Sequence, residues 1–151
     1  MFEIESKSPD EIVLTTKETS IKFDLANETV DASLEVGKIE GPGEFEIGNV
    51  AIQGLATESK KTVYAATVGT VRIGIIGGIE EAITLDELGV ADVLCTSSVR
   101  AVRELDPKVV IAMGNVDGMV TELKLTPRAE RKFKLKNAEA LPPTLEVVAL
   151  A

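Results

Sequence analysis

Apolar and polar residues alternate along the first part of the chain, which is the pattern of strands that bury one face. The segments FEIES, EIVLTT and SIKFDL each follow this period of two, and SPDE and TKET between them have the composition of turns. These residues predict a β-meander at the start of the chain.

The alternation continues to about residue 78 and is interrupted by three turn signals. Gly-Pro-Gly at 41–43 breaks one strand, and Gly48-Asn49 joins EFEI to VAIQGLA as a two-residue hairpin turn. Gly69-Thr70 lies between two β-branched runs, and a glycine at the first turn position is typical of a type II′ turn. We therefore expect two hairpins after the meander.

Beyond Gly78 the period changes to about 3.6, which favours helices. TLDELG predicts a short helix with Thr84 as its N-cap, and SSVRAVRELD predicts a second helix. DVLCT and KVVIAMG flank this second helix and are short buried strands. Two strands joined through a helix are expected to lie parallel.

The last part of the chain predicts one more helix and two strands. Val116, Met119, Val120 and Leu123 are spaced i, i+3, i+4 and i+7, so VDGMVTELK should form an amphipathic helix packed on the sheet. The tail from residue 131 supplies one strand of alternating polarity and one apolar closing strand. Neither a repeat nor a low-complexity linker divides the chain, and we interpret residues 1–151 as a single domain.

Composition and charge narrow the classes of function. The net charge of −9 argues against a general binder of nucleic acids or anionic membranes, which needs clustered cations. The apolar runs are far shorter than the roughly 18 residues of a membrane span, so no transmembrane helix is expected. The first residues lack a basic stretch followed by an apolar run, and we expect a cytoplasmic protein.

One segment departs from the acidic average. Its cations are Lys124, Arg128, Arg131, Lys132, Lys134 and Lys136. A solvated edge strand explains them, because lysine on an edge prevents sheet-to-sheet aggregation. Head-to-tail self-association with the acidic first half and contact with an anionic partner such as RNA are the two alternatives.

The residue inventory restricts the metal chemistry. Zinc sites use Cys, His and acidic side chains, and this chain has one cysteine and no histidine. A site built from carboxylates alone could hold Mg²⁺, Mn²⁺ or Ca²⁺. The candidate ligands are Glu44, Glu46, Glu80, Glu81, Asp92 and Asp117. Each also has an ordinary explanation: a solvated strand face, the start of a helix, or, for Asp92, a side chain that holds a turn.

Cys95 with Ser97 and Ser98 at a strand end is the best-placed group of nucleophiles. A catalytic thiol or hydroxyl needs a nearby base, and Lys108 is the only one nearby in the sequence. We therefore expect Cys95 to be an unreactive core residue.

The segment GPGEFEIGNVAIQG resembles a signature of the metallo-β-lactamase-fold hydrolases, in the branch of small bacterial and archaeal zinc-dependent proteins. TVRIGIIGGI, LGVADVLCTSS, LDPKVVIAMGN and FKLKNAEALPPTLEVVAL are similar to later segments of that family, in the same order. The likeness runs from about residue 38 to the end. It implies an α+β sandwich, an abridged form of the family's αββα fold with βα units in the second half.

The resemblance also implies that the metal site is lost. Carried over by position, a metal-binding histidine of the family falls on Ile75, the bridging aspartate on Gly78 and the last histidine on Gly114. The segment before residue 40 leaves no room for the family's His-x-His-x-Asp-His loop. We expect apolar packing to fill the former site, with no cofactor bound.

These departures favour a non-catalytic binding or structural module. Loss of the metal loop should leave a strand edge or an apolar face of the early strands uncovered, so we expect a homodimer. One alternative is a hydrolase with a relocated carboxylate site that uses Glu44, Asp92 or Asp117. The other is an accessory protein of nucleic-acid processing that binds through the basic segment from Lys124 to Lys136.

Overall fold

The computed structural model describes residues 1–32, 38–57, 59–78, 88–114 and 116–150. Most of the helix predicted from TLDELG lies outside these residues, as do Glu80, Glu81 and Thr84. The described chain forms two sheets packed face to face, with α-helices on one of them.

The first sheet is the predicted meander, extended at both ends. Its strands are β1 (Phe2–Ser8), β2 (Glu11–Thr15), β3 (Ser20–Asp24), β4 (Thr29–Asp31), β5 (Lys38–Glu40) and β13 (Phe133–Leu135). They lie in the order β13-β1-β2-β3-β4-β5, and every neighbouring pair is antiparallel. The buried residues of β1 to β3 alternate as the sequence predicts: Phe2, Ile4, Ile12, Leu14, Ile21 and Phe23.

The second sheet combines the two predicted hairpins with the predicted parallel strands. Its strands are β6 (Gly43–Ile47), β7 (Val50–Ala56), β8 (Thr62–Val68), β9 (Val71–Gly77), β10 (Val93–Thr96), β11 (Val109–Ala112), β12 (Arg128–Glu130) and β14 (Glu146–Leu150). Their order is β12-β14-β11-β10-β9-β8-β7-β6, antiparallel from β6 to β9 and parallel beyond β9. Gly48 and Gly69 have φ of 59° and 61° in the hairpin turns, which only glycine adopts freely.

Gly41-Pro42-Gly43 is the point where the chain passes from the first sheet to the second, since β5 and β6 belong to different sheets. The passage crosses Gly54 of β7 closely: a Cβ added at Gly54 would lie 3.2 Å from the carbonyl oxygen of Gly41. Strand alternation therefore breaks here for a reason of architecture, the change of sheet.

Two apolar clusters hold the layers together. The larger lies between the sheets, and the second lies between the second sheet and the helices α1 (Val99–Leu105) and α2 (Val116–Leu123). Strand β9 contributes to both, with Ile73 and Ile75 in the first and Ile76 in the second. Met119 of α2 is fully buried in the second cluster, so the predicted amphipathic helix is confirmed. A 3₁₀ helix (Ala138–Ala140) precedes β14.

The outer face of the first sheet is polar, and both described α-helices lie on the second sheet instead. Cross-strand neighbours on this face pair Glu3 with Lys134 and Lys22 with Asp31. The apolar face of the early strands is buried against the second sheet, so it needs no partner molecule to cover it. Of the two reasons for expecting a dimer, only the open strand edges remain. No helix in the described ranges is long and apolar enough to span a membrane.

The buried position of Ile75 gives a test of the packing. Its side chain is 0% exposed between the sheets, so Ile75→Ala should leave a core cavity and lower the free energy of unfolding by about 2 to 5 kcal/mol. Urea unfolding followed by circular dichroism measures this loss. Val13→Ala on the half-buried outer face of the first sheet is the control and should cost much less. A near-zero loss for Ile75→Ala would place this side chain in an open cleft.

Candidate functional site

The carboxyl ends of three neighbouring parallel strands, β9, β10 and β11, meet at one edge of the second sheet. Ligands of open sheets with parallel strands bind outside this kind of edge. Residues 77–78, 96–98 and 113–114 follow or end these strands, and we call them the carboxyl edge. Gly78 and Gly114, two of the positions assigned from the family resemblance, both lie here.

Two turns of the first sheet pack onto the carboxyl edge. Pro9, between β1 and β2, faces Gly114: a Cβ added at Gly114 would lie 3.3 Å from the Pro9 Cβ. Leu25, after β3, faces Gly77, where an added Cβ would lie 2.8 Å from the Leu25 Cδ1. The Leu25 amide also donates to the carbonyl of Asp10 at 2.8 Å, which ties the two turns together. A side chain at Gly114 would require Pro9 to move by a few tenths of an ångström, and one at Gly77 would require the Leu25 side chain to turn aside. The two turns therefore pack closely on these glycines.

Thr96, Ser98 and Met113 of the carboxyl edge form hydrogen bonds within the chain. The Thr96 hydroxyl, fully buried, donates to the carbonyl of Gly77 at 2.6 Å and accepts from the Ser98 amide at 2.9 Å. The Ser98 hydroxyl accepts from the Ala101 amide at 3.2 Å and caps α1. The Met113 amide donates to the Thr96 carbonyl at 3.0 Å. These groups therefore hold the strand ends and the helix start in place.

Ile75 differs from the two glycines in its surroundings. It pairs with Tyr64 of β8 and Cys95 of β10, and its side chain belongs to the core between the sheets. Gly78 is exposed and Gly114 is half-buried. The structure thus brings Gly78 and Gly114 to one edge and buries the side chain of Ile75 in the layer beneath.

The three candidate carboxylates lie on separate elements. Glu44 is exposed on β6, the edge strand at the far side of the second sheet from β11. Asp117 is exposed in the first turn of α2. Asp92 precedes β10 at the opposite end of the strands, where its carboxylate accepts from the Arg72 amide at 2.9 Å. Asp92 therefore links the starts of β9 and β10, instead of holding a turn as its sequence position suggests.

The described ranges contain no group of three or more His, Cys, Asp or Glu side chains that could hold a metal ion. Glu46 points to the exposed side of β6 beside Glu44, two residues away along one strand. Both side chains extend into solvent.

Cys95 lies in the core between the sheets and is 0% exposed. Burial raises the pKa of its thiol, which suppresses the reactive thiolate at neutral pH. Lys108, the base nearest in sequence, precedes β11 and donates its amide to Asp92 at the opposite end of the strands. Cys95, Ser97 and Lys108 therefore do not form a nucleophile and base.

Tyr64 is a buried polar residue that sequence reasoning missed. It is the only tyrosine, it is 0% exposed, and its ring packs on Phe23 with a centroid distance of 5.5 Å. Its hydroxyl has no hydrogen-bond partner among the described residues. Burial, with the charges of Glu28 and Asp24, raises the pKa of Tyr64 to about 12. Its place in a β-branched strand predicts only a core residue, so the sequence carries no signal for the unpaired hydroxyl.

The two carboxylates near Tyr64 are engaged in the turn between β3 and β4. The Asn27 side chain donates to Asp24 at 2.7 Å and holds the pKa of that carboxyl below its usual range. The Glu28 carboxylate accepts from the Thr62 amide at 2.6 Å and so joins this turn to the start of β8. Glu28 has φ of 55°, a strained value for a non-glycine residue. Both carboxylates therefore stabilise the turn between β3 and β4, and Glu28 also fastens this turn to β8.

The basic segment lies along edge strands β12 and β13, where neighbouring carboxylates form ion pairs with three of its six cations. Lys132 lies 3.7 Å from Glu3 and 3.8 Å from Glu5. Lys134 also lies 3.8 Å from Glu3. The remaining ion pairs join Arg128 to Glu130 at 3.3 Å and to Glu146 at 3.2 Å. This arrangement is less suited to counterion release from a polyanion than the sequence cluster suggests.

The environment of Tyr64 predicts an alkaline transition. Its folded pKa of about 12 lies above the value of about 10 for an exposed tyrosine, so the stability linked to this hydroxyl is fully present below about pH 10 and is lost as the pH rises toward 12. Because the chain has one tyrosine and no tryptophan, tyrosinate absorbance in the near ultraviolet reports this residue alone.

We expect this absorbance to appear about two pH units later in the folded protein than in denaturant. Tyr64→Phe should remove the fall in stability that this group causes above about pH 10. Titration of the folded protein at the denaturant value would contradict the burial of the hydroxyl.

The burial of Cys95 predicts that the folded protein resists thiol reagents. Ellman's reagent should modify Cys95 at once in denaturant and only at the rate of unfolding in buffer. The control is the double variant Cys95→Ala and Val90→Cys, because Val90 is 73% exposed and a thiol there should react immediately. Equal rates for the wild type and this variant in buffer would show that Cys95 is accessible.

Comparison with known proteins identifies the fold. No family model matches the sequence, and no curated protein matches it. A crystal structure from Thermotoga maritima, described as a zinc-dependent hydrolase of the metallo-β-lactamase superfamily, matches with a TM-score of 0.77 and 18% sequence identity. The match covers 99% of each chain, so the likeness extends well before residue 38. The chain therefore has the metallo-β-lactamase-like fold that its sequence motifs imply.

Proposed function

We propose that this chain is a non-catalytic protein of the metallo-β-lactamase-like fold that acts as a binding or structural module. The observation that carries the proposal is the packing on the described part of the carboxyl edge. Pro9 packs on Gly114 and Leu25 packs on Gly77, and Thr96 bonds to Gly77 and Ser98 of the chain itself. A hydrolytic site needs space there for a substrate and groups that activate water.

The donor set does not fit the zinc that this fold implies. Catalytic zinc is held by three protein ligands drawn from His, Cys and acidic side chains. The chain has no histidine, and its single cysteine is buried between the sheets. The side chains at the positions assigned by resemblance, Ile75, Gly78 and Gly114, contain no ligand atom.

The alternative of a relocated carboxylate site is less well supported. Its three candidate ligands lie apart: Glu44 is on a distant edge strand, Asp92 is at the opposite end of the sheet, and Asp117 is on a helix. A hard cation requires several oxygen ligands that converge on one point. A role in nucleic-acid processing is also disfavoured, because ion pairs occupy Arg128, Lys132 and Lys134 of the basic segment.

The proposal predicts a protein without stoichiometric metal and without hydrolase activity. Elemental analysis of untagged protein should find no bound transition metal, and added Zn²⁺ or Mn²⁺ should not elicit hydrolysis of nitrocefin or bis-p-nitrophenyl phosphate. Gly114→His should fail as well, because one ligand is added where at least three are required.

Two results would overturn this proposal. One is an equivalent of tightly held metal, and the other is turnover that disappears when Glu44, Asp92 or Asp117 is changed to alanine. The second result would identify which carboxylate belongs to a relocated site.

A further inference from the structure

The two lateral sides of the sandwich carry opposite charge patterns. Strands β5 and β6 end the two sheets on one side, and β12 and β13 end them on the other. Within the described ranges these four are edge strands, and edge strands present unpaired backbone groups to other chains. Each side is thus a possible template for another strand.

Strand β6 is the acidic edge. Glu44 and Glu46 point outward and are exposed, whereas Phe45 and Ile47 pack on the core between the sheets. Neither glutamate forms an ion pair with another residue in the part of the chain that the structure describes. A groove of about 410 Å³ borders the strand and is lined by Glu44, Glu46, Gln53 and Arg72, among others. Two exposed glutamates without an ion pair among the described residues therefore line this edge.

Strand β13 and its flanking residues form the basic edge, with the same alternation and the opposite charge. Lys132, Lys134 and Lys136 are exposed and alternate with Phe133 and Leu135, which are buried in the core between the sheets. On the adjacent strand β1 only Glu3 and Glu5 pair with these lysines.

The basic edge keeps a surplus of positive charge. Lys136 and Arg131 form no ion pair within the described ranges, and the Lys134 side chain is 68% exposed. The four cations of the basic edge outnumber Glu3 and Glu5 by two positive charges, which would balance the two negative charges of Glu44 and Glu46. These cations are Arg131, Lys132, Lys134 and Lys136.

We propose that β6 of one molecule pairs with β13 of a second copy of this chain. The faces of the two strands match: in a shared sheet Glu44 and Glu46 would lie on the same face as the lysines. Phe45 would lie on the same face as Phe133. Opposite charges on neighbouring strands stabilise a sheet, and the Glu3–Lys134 pair within one molecule already follows this rule.

This contact is head-to-tail, since each molecule offers one acidic and one basic edge. A heterologous contact either closes into a ring or continues as an open chain. β6 has five residues and β13 three, so the interface is small and the association should be weak and sensitive to salt. The contact uses the lateral edges and not the carboxyl edge.

Light scattering at increasing protein concentration tests the association. At low ionic strength the mean mass should rise steadily above the monomer mass of 16.1 kDa, and about 1 M salt should return it to that mass. A mass that stays at the monomer value at low salt, or a rise that salt does not reverse, would overturn the proposal.

Charge-reversal variants test which edges meet. Glu44→Lys with Glu46→Lys makes both edges basic, and Lys134→Glu with Lys136→Glu makes both acidic. Each variant alone should remain monomeric, and an equimolar mixture should associate again because each edge then meets an opposite one. The control, Glu104→Lys with Glu122→Lys, changes the net charge by the same amount as the first variant at exposed sites on the helices α1 and α2 and should associate like the wild type.

Circular dichroism verifies that each variant is folded. Association of either edge variant alone at the wild-type level would overturn the proposal, as would a mixture of folded variants that stays monomeric. Equal loss of association in the control would also overturn it, because net charge and not the strand edges would then be responsible.

Discussion

The packing of the two inner sheet faces is the interaction on which the other features depend. The side chains of Phe23, Tyr64 and Ile75 interlock between the sheets and are removed from water. Each fully buried apolar side chain of this size contributes about 1.5 to 3 kcal/mol. The contact also fixes the position of the first sheet's turns, because a shift of the sheets would separate Leu25 from Gly77 and Pro9 from Gly114.

The packing of the two turns on the carboxyl edge is therefore a consequence of how the sheets are stacked. Gly77 and Gly114 have positive φ, which would strain any residue with a side chain. The absence of a side chain at these positions also lets Leu25 and Pro9 pack close to the backbone. Thr96 satisfies the Gly77 carbonyl without help from a ligand. Function belongs to the site and not to the fold, so one fold can serve different functions when the residues at this edge differ.

The sequence predicted the strands of the meander, both hairpins and the parallel βα unit, because periodicity and turn glycines are local signals. It could not assign strands to sheets: periodicity shows which face of β13 is buried, but not that it pairs with β1. Strand β12 was missed because residues 128–130 are exposed and lack alternation. The contact of Pro9 with Gly114 was equally out of reach, since it joins residues far apart in the chain.

Buried and exposed polar groups differ in what they cost the folded protein. Among the described residues, every buried side-chain nitrogen or oxygen has a hydrogen-bond partner except the Tyr64 hydroxyl. A buried hydroxyl without a partner costs roughly 1 to 3 kcal/mol, which the contact of its ring with Phe23 helps to offset. The charges of Glu44 and Glu46, by contrast, remain in water and cost little alone. Recognition by charge is consequently more readily built on the lateral edges, where exposed glutamates and lysines are available, than at the carboxyl edge, where Thr96 and Ser98 already bond within the chain.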